Sequence, residues 1–202
     1  MASSRFGAGT VDGVGVVELD RRAAVGLAAL IDATSSEQLD APTPCAEWTV
    51  RVLLAHLVGG CLKYTEIASG KDWSRGAPEV ELDPDPAAMY RQAVDAMLDA
   101  WERPGVLERE TPLPIGRGPA EAALYIHLGE TLVHGWDLAV ATGQTPAFDD
   151  DVVEASLSQF KSWLPAQRPP GSPFVDATAV DEDHTPLDRL AGFLGRDVGR
   201  WR

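Results

Sequence analysis

The stretch 119–143 constrains the fold of this chain more than any other, because it is apolar on nearly every side yet carries ionisable residues in one line. A proline opens it and a glycine closes it, which predicts a long helix. A helix that is apolar all round is buried. Beyond Glu121 and Tyr125, the ionisable residues of the stretch stand at i, i+3, i+7 and i+10 and are His127, Glu130, His134 and Asp137. They form one stripe at about 100° per residue, and it needs partners because an unpaired buried charge costs several kcal/mol.

A divalent metal ion would satisfy part of this stripe. Glu130 and His134 are one helical turn apart, so a carboxylate oxygen and an imidazole nitrogen can converge on one ion. His56 lies in a second apolar helical segment, and Gly59 and Gly60 follow it about one turn along, where they leave room for a ligand. The alternative is that His56 is a core histidine bonded to a backbone carbonyl. Spacing and burial alone leave both interpretations open.

Three further residues accompany these candidates. His127 lies one turn before Glu130 and either lines the pocket or is an interior histidine with a local partner. Asp137 is predicted to orient a ligand from behind, or to accept hydrogen bonds from a loop near the second helix. Lys63 either reaches the rim of the pocket or extends its charged end to solvent along an apolar stem.

The periodicity elsewhere predicts an all-α chain whose first four helices form a bundle. Apolar spacing and capping residues predict helices over 17–34, 49–69, 85–102 and 119–142, with further helices over 151–164 and 185–195. The long connection 70–84 allows helices two and three to run parallel. A short strand pairing is expected near 106–107 and 174–175. Residues 1–15 are predicted to be a flexible leader, and residues 16–202 a single domain.

The charge and the cysteines limit which binding partners and which cellular compartment are expected. The formal net charge of −14 disfavours binding to nucleic acid or to an anionic membrane surface. No apolar run approaches the ~18 residues of a membrane span. Two cysteines and an N-terminal stretch unlike a signal peptide predict a cytoplasmic protein with reduced thiols. Cys61 is predicted to be a small buried apolar residue, while Cys45 lies in a loop. Neither is well placed as a nucleophile, so a reactive thiol is expected to come from outside the protein.

Three blocks of the sequence carry a family resemblance. The first is TPCAEWTVR over 43–51, which leads into Leu-Ala-His-Leu around His56. The second is ETLVHGWDLA over 130–139, and the third is the tail over 187–197. Together they resemble the mycothiol-dependent maleylpyruvate isomerase-like proteins, which belong to the wider DinB-like superfamily of metal-binding four-helix bundles.

The resemblance implies a DinB-like four-helix bundle with extra C-terminal helices, and it places the metal ligands on His56, Glu130 and His134. A glutamate as the middle ligand is typical of the isomerase branch, whereas the wider superfamily more often has three histidines. Two imidazoles and one carboxylate leave a coordination position open, which is typical of catalytic sites. Zinc is the expected ion, with nickel as the alternative.

Two chemistries are compatible with such a site. The ion can lower the pKa of a bound water for hydrolysis, or it can bind a small thiol as the thiolate. The resemblance favours the thiol and implies mycothiol. The predicted function is therefore a transferase or isomerase in which a metal-bound thiolate attacks a small electrophile. The alternatives are a non-catalytic metal- or ligand-binding stress-response protein and a metal-dependent hydrolase.

The resemblance bears on the substrate and the assembly as well. Family members with established isomerase activity carry an additional C-terminal domain, and little chain follows Trp201 here. The expected substrate is therefore an electrophile other than maleylpyruvate. The expected partners are a small-molecule thiol and that electrophile, and the family likeness also makes a homodimer a candidate assembly.

Overall fold

The computed structural model describes residues 14–71, 77–114, 116–170 and 175–201, so most of the predicted leader lies outside the described residues. The α-helices of the described part are α1 (Val16–Asp32), α2 (Val50–Ala68), α3 (Pro86–Trp101), α4 (Ala120–Thr142), α5 (Asp150–Trp163), α6 (Pro186–Phe193) and α7 (Val198–Trp201). The predicted all-α, DinB-like class is confirmed. None of the described helices combines the length and the apolar character that a membrane crossing requires.

Local capping chemistry explains where the bundle helices begin and end. The Thr49 hydroxyl accepts a hydrogen bond from the Val52 amide at 3.4 Å and so caps α2. The Asp85 carboxylate accepts one from the Ala88 amide at 2.9 Å, just before the proline that opens α3. Gly143 ends α4 with a φ of 70°, a left-handed conformation that glycine adopts at little cost. The predicted bounds of these three helices therefore agree closely with the structure.

One short hairpin precedes α4, in a place that the sequence did not indicate. Its strands are β1 (Glu110–Leu113) and β2 (Gly116–Pro119), which pair antiparallel with Leu113 opposite Gly116. The pairing expected near 106–107 was wrong, because these residues lie in a turn, while part of its expected partner is outside the described residues. The hairpin escaped detection because β2 is made largely of glycine and proline, which are depleted in strands.

The relative directions of the helices follow from pairs of contacting side chains whose positions along each helix are known. Asp32, at the end of α1, pairs with Arg91, near the start of α3, so α1 and α3 run antiparallel. Asp20, near the start of α1, pairs with His127, in the first third of α4. This pairing places the beginnings of α1 and α4 at the same end of the bundle. These two helices therefore run in the same direction.

The second helix completes the arrangement. Cys61, in the second half of α2, lies beside His127, whereas His56, in its first half, lies beside His134. The two helices are therefore antiparallel, and it follows that α2 and α3 run in the same direction. A long connection between α2 and α3 is compatible with this parallel arrangement, as the sequence allowed.

The segments after α4 pack on its outer side, as the sequence predicted, and account for its burial on nearly every face. Phe160 of α5 fills the space left by Gly129, where an added Cβ would lie 2.2 Å from the ring. The indole nitrogen of Trp136 donates to the buried carboxylate of Asp188 in α6 at 2.7 Å. The long α4 thus packs against α1, α2, α5 and α6, whereas α3 packs against α1 and α2.

Candidate metal centre

The structure brings His56 and His134 together across the α2–α4 contact. Their ring centroids are 5.0 Å apart and the rings meet edge to face. The indole of Trp48 packs against both rings, with its centroid 4.7 Å from His56 and 5.9 Å from His134. Trp48 immediately precedes the N-cap of α2, so the start of that helix also forms one wall of the histidine pair.

Glu130, the third predicted ligand, lies one turn before His134 on α4 and is half-buried. Its negative charge acts on Lys63 of α2, whose side chain is only 9% exposed. Burial lowers the pKa of Lys63, and the nearby Glu130 charge opposes that shift. Glu130 and Lys63 therefore face each other across the α2–α4 contact, with Glu130 one turn before His134 and Lys63 two turns after His56.

A network of hydrogen bonds holds His134 at the Nδ1 side of its ring. Its Nδ1 lies 3.0 Å from Oδ2 of Asp137, which is fully buried. Both oxygens of Asp137 also accept from Arg196, at 2.8 Å each. Burial alone would raise the pKa of Asp137, but the hydrogen bonds from Arg196 and His134 outweigh it and lower that pKa to about 2. An ionised Asp137 assigns the ring proton of His134 to Nδ1, which leaves Nε2 as the nitrogen with a lone pair.

Among the described residues, two sets of three potential ligands have all their ligand atoms within 4.8 Å of one another. One is Cys45, His134 and Asp137, and the other is the exposed group Asp181, Asp183 and His184. Of the three predicted ligands only His134 belongs to either set, whereas His56 and Glu130 belong to neither.

The Cys45 set is better explained without an ion. Arg196 Nη2 lies 3.3 Å from Cys45 Sγ, so a cation already occupies this corner of the molecule. Burial and the Asp137 charge raise the pKa of Cys45 to about 12. The cysteine is therefore a thiol that donates to Asp137, at 3.2 Å, rather than a thiolate ligand.

The donor set of the predicted site fits a divalent ion. Burial, together with the positive charge that His134, Lys63 and His127 can carry, lowers the pKa of His56 to about 3. His56 is therefore neutral at ordinary pH, which is the form that binds metal. Two imidazoles and a carboxylate suit zinc or nickel, both of which accept nitrogen ligands readily. His56, Glu130 and His134 would hold the ion.

We expect the metal-free protein to lose stability as the pH falls from about 6.5 towards 3. An unfolded chain protonates His56 near its ordinary pKa of about 6.5, whereas the folded protein does so only near 3. Between these values the unfolded state binds more protons, so the free energy of unfolding falls as acid is added. The variant His56→Gln should flatten this slope by up to roughly 1.4 kcal/mol per pH unit. Guanidinium melts at several pH values measure it, and equal slopes in both proteins would contradict the expectation.

His127 faces the interior rather than the histidine pair. Its Nδ1 lies 2.7 Å from Oδ2 of Asp20, and the exposure of these side chains is 5% and 0%. Burial would lower the pKa of His127, but the charge and hydrogen bond of Asp20 raise it well above its usual value. The two residues form a buried ion pair that joins α1 to α4. Sequence reasoning missed Asp20, although a carboxylate between Leu19 and Ala23 on the apolar face of α1 was the available indication.

The two glycines after His56 have different surroundings. An added Cβ at Gly59 would lie 2.5 Å from the carbonyl oxygen of Pro78, so the connection between α2 and α3 uses that space. The expectation that Gly59 leaves room for a ligand was therefore wrong. Gly60 is different, because an added Cβ there would meet nothing within 4 Å. It lies on the face of α2 that carries His56 and Lys63, four residues after one and three before the other.

These adjacent glycines provide a matched pair of substitutions. We expect Gly59→Ala to lower the free energy of unfolding by about 1–3 kcal/mol, because the methyl group collides with backbone that must move. Gly60→Ala should instead raise it by up to about 1 kcal/mol, since alanine favours a helix and the space is open. Chemical denaturation of the two variants measures the difference. Similar changes in both would contradict the observed course of the connection over α2.

A cavity of about 600 Å³ opens beside His56. Its lining comes from the first half of α2 and from the connection that follows that helix: Trp48, Arg51, Val52, Ala55, His56, Ala77, Pro78, Glu79, Val80, Glu81 and Leu82. A small molecule bound there would touch His56 directly. The fold and this site together define the class of the protein: a four-helix bundle with an inward histidine pair at the edge of an open cavity.

Comparison with known proteins then identifies the family. The family model described as "Mycothiol maleylpyruvate isomerase N-terminal domain" matches residues 21–139, which is more than half of the chain. The chain therefore belongs to this family, and the resemblance that its sequence blocks indicated is confirmed.

The chain is also similar to two proteins of Mycobacterium tuberculosis over most of its length. "Uncharacterized protein Rv0738" of Mycobacterium tuberculosis strain ATCC 25618 / H37Rv is 33% identical over 180 residues, covering 88% of this chain and 96% of the relative. "Uncharacterized protein MT0763" of strain CDC 1551 / Oshkosh gives the same values.

Solved structures share the fold. A crystal structure of the mycothiol-dependent maleylpyruvate isomerase matches with a TM-score of 0.54 and 13% identity, over 69% of this chain and 65% of that one, less than two thirds of its length. A mutant of that enzyme matches with a TM-score of 0.62 and 15% identity, over 91% and 89% of the two chains. At such identities the likeness concerns the fold alone.

Proposed function

We propose that this protein holds one divalent metal ion, most simply zinc, between α2 and α4, and uses it as a mycothiol-dependent transferase or isomerase acting on a small electrophile. The observation that carries the proposal is the contact between His56 and His134 at the edge of an open cavity. Family membership supports the thiol, because the matching family is described by mycothiol. The proposed setting is the reducing cytoplasm, where small thiols are abundant.

Each residue of the proposed site has its own role in this proposal. His56, Glu130 and His134 would hold the ion, which when bound supplies a positive charge that lowers the pKa of a thiol. Asp137 keeps the His134 ring in one orientation by accepting from Nδ1. Lys63 adds positive charge at the same contact and favours an anionic sulfur over a neutral one.

The open space at Gly60 gives an incoming molecule a place beside these groups. It lies between His56 and Lys63 on α2, and no side chain of the described residues fills it. The segment 77–82 forms the opposite wall of the neighbouring cavity. We propose that this segment contacts the thiol or the electrophile, since it is the part of the wall that does not belong to the bundle.

The reactive sulfur is proposed to come from outside the chain. Cys61 is fully buried, so no substrate can reach it. Cys45 is held as a neutral thiol by Asp137, because its pKa is raised to about 12. A thiol must be deprotonated to attack an electrophile, so neither side chain suits the role.

Calorimetric titration of zinc-loaded protein with mycothiol tests the proposal. We expect binding with release of close to one proton, and faster conjugation of mycothiol to at least one member of a panel of activated electrophiles. The variant His134→Ala should lose both effects, whereas His184→Ala, the same change on an exposed loop, should keep them. Binding of mycothiol without turnover would favour the non-catalytic alternative. Hydrolysis of activated esters without any thiol would favour a hydrolase, and neither binding nor conjugation would overturn the proposal.

A further inference from the structure

Arg196 lies between α6 and α7 and reaches the far side of His134 from a distant part of the chain. Its Nε and Nη2 donate to the two carboxylate oxygens of Asp137, each at 2.8 Å. Such a two-bonded pairing fixes the orientation of a carboxylate as well as its position. Asp137 is fully buried, and 59 positions separate the two residues in sequence. The carboxylate is thus held by the C-terminal segment as well as by His134 of its own helix.

Asp137 Oδ2 is an acceptor shared by three donors. It accepts from His134 Nδ1 at 3.0 Å, from the Cys45 thiol at 3.2 Å and from the guanidinium of Arg196. The same Arg196 nitrogen lies 3.3 Å from the Cys45 sulfur. The guanidinium therefore contacts both Asp137 and Cys45, which lie beside Nδ1 of the His134 ring. With Nδ1 engaged in this way, Nε2 is the ring nitrogen left to bind an ion.

The backbone around Arg196 is itself firmly placed. Gly195 has a φ of 89°, which ends α6 in a tight left-handed turn. The amide of Arg196 donates back to the Ala191 carbonyl at 2.9 Å. One residue before Asp137, the Trp136 indole donates to Asp188 and docks α6 on α4. Two consecutive residues of α4 thus anchor the same C-terminal segment, one of them through Arg196.

We propose that Arg196 is a positioning residue for His134, which it orients through Asp137 so that Nε2 faces the ion. The part of this inference that concerns metal affinity rests on the proposed function; the part that concerns the ring of His134 does not. Outer partners of this kind fix the tautomer and orientation of a ligating histidine, and their loss usually costs about 10–100-fold in metal affinity. A segment that supplies no ligand would therefore control how tightly the ion is held.

The first test uses metal-free protein labelled with nitrogen-15, because ring-nitrogen shifts report which atom of His134 carries the proton. We expect Nδ1 to be protonated in the wild type. In Arg196→Met, which keeps an unbranched apolar stem and removes the guanidinium donors, both ring-nitrogen shifts of His134 should move. Arg189→Met is the matched control, since Arg189 lies on α6 and pairs with Glu154 instead. The His134 shifts should stay unchanged in that variant.

The second test measures the dissociation constant for zinc by competition with a coloured chelator. We expect Arg196→Met to weaken binding by about 10–100-fold, Arg196→Lys to weaken it less, and Arg189→Met to leave it unchanged. Combining Arg196→Met with Asp137→Asn should be no weaker than Asp137→Asn alone, because both changes act through one carboxylate. If the wild type binds no zinc, the proposed function fails, while the ring-nitrogen result still decides the role of Arg196.

Several results would overturn the proposal. One is a wild-type spectrum with the His134 proton on Nε2, which needs no variant to fold. Another is an unchanged His134 signal in folded Arg196→Met or, if that variant does not fold, in Arg196→Lys. A third is equal loss of zinc affinity in Arg196→Met and Arg189→Met, which would reduce Arg196 to a general anchor of the segment.

Discussion

Replacing His56 or His134 by alanine is expected to remove the bound ion, which should be present at about one per chain in gently purified wild-type protein. Each substitution deletes one of only three proposed ligands. The loss of affinity should therefore exceed the roughly 100-fold that removal of an outer partner can cost. Elemental analysis by plasma mass spectrometry, after dialysis against a weak chelator, measures the occupancy. His184→Ala provides the matched control, because that histidine is exposed in a polar loop.

A second measurement on the same two variants separates metal binding from folding. The ion is not expected to hold the bundle together, because the buried apolar faces of the helices supply most of its stability. Circular dichroism of both alanine variants should therefore match that of the wild type. Full occupancy in both variants would refute the assignment of these histidines as ligands.

Breaking the Asp20–His127 pair should lower stability more than either glycine substitution in α2. The variant Asp20→Val leaves the imidazole of His127 buried without its counter-charge. Removing one partner of a buried ion pair typically lowers the free energy of unfolding by about 3–5 kcal/mol. Denaturation with guanidinium at neutral pH measures the change.

A double variant provides the control for that prediction. Asp20→Val combined with His127→Leu replaces both charges by apolar groups, which is often neutral for stability. It should therefore recover much of the stability lost in Asp20→Val alone. A double variant that is less stable than either single variant would show that the pair contributes by packing rather than by charge.

Helix positions could be predicted from the sequence because the relevant interactions are local. The caps at Thr49 and Asp85 bond to amides three residues further on. The stop at Gly143 depends on the conformation of one residue. Period and capping together therefore gave bounds for α2, α3 and α4 that agree with the structure to within about two residues.

The surroundings of the predicted ligands could not be predicted in the same way. Cys45 and Arg196 meet at Asp137 although 151 positions separate them along the chain. No periodicity links residues so far apart. The carbonyl of Pro78 fills the space at Gly59 for a similar reason, since only the course of a long connection decides it. The stripe on α4 was visible in sequence, but the partners of His127 and Asp137 come from α1 and from beyond α6.

The scattered origin of these groups has a consequence for how a cell would load the protein. A ribosome adds about 5–20 residues per second, so His56 is made seconds before His134, and Arg196 is made later still. During synthesis the nascent chain offers isolated imidazoles, which hold a metal ion only weakly. The full set of groups exists only after residue 196 has been made and α6 has docked. Under the proposed function, the folded protein would therefore acquire its ion from the buffered cellular pool, and the supply of free zinc after translation would decide its metal occupancy.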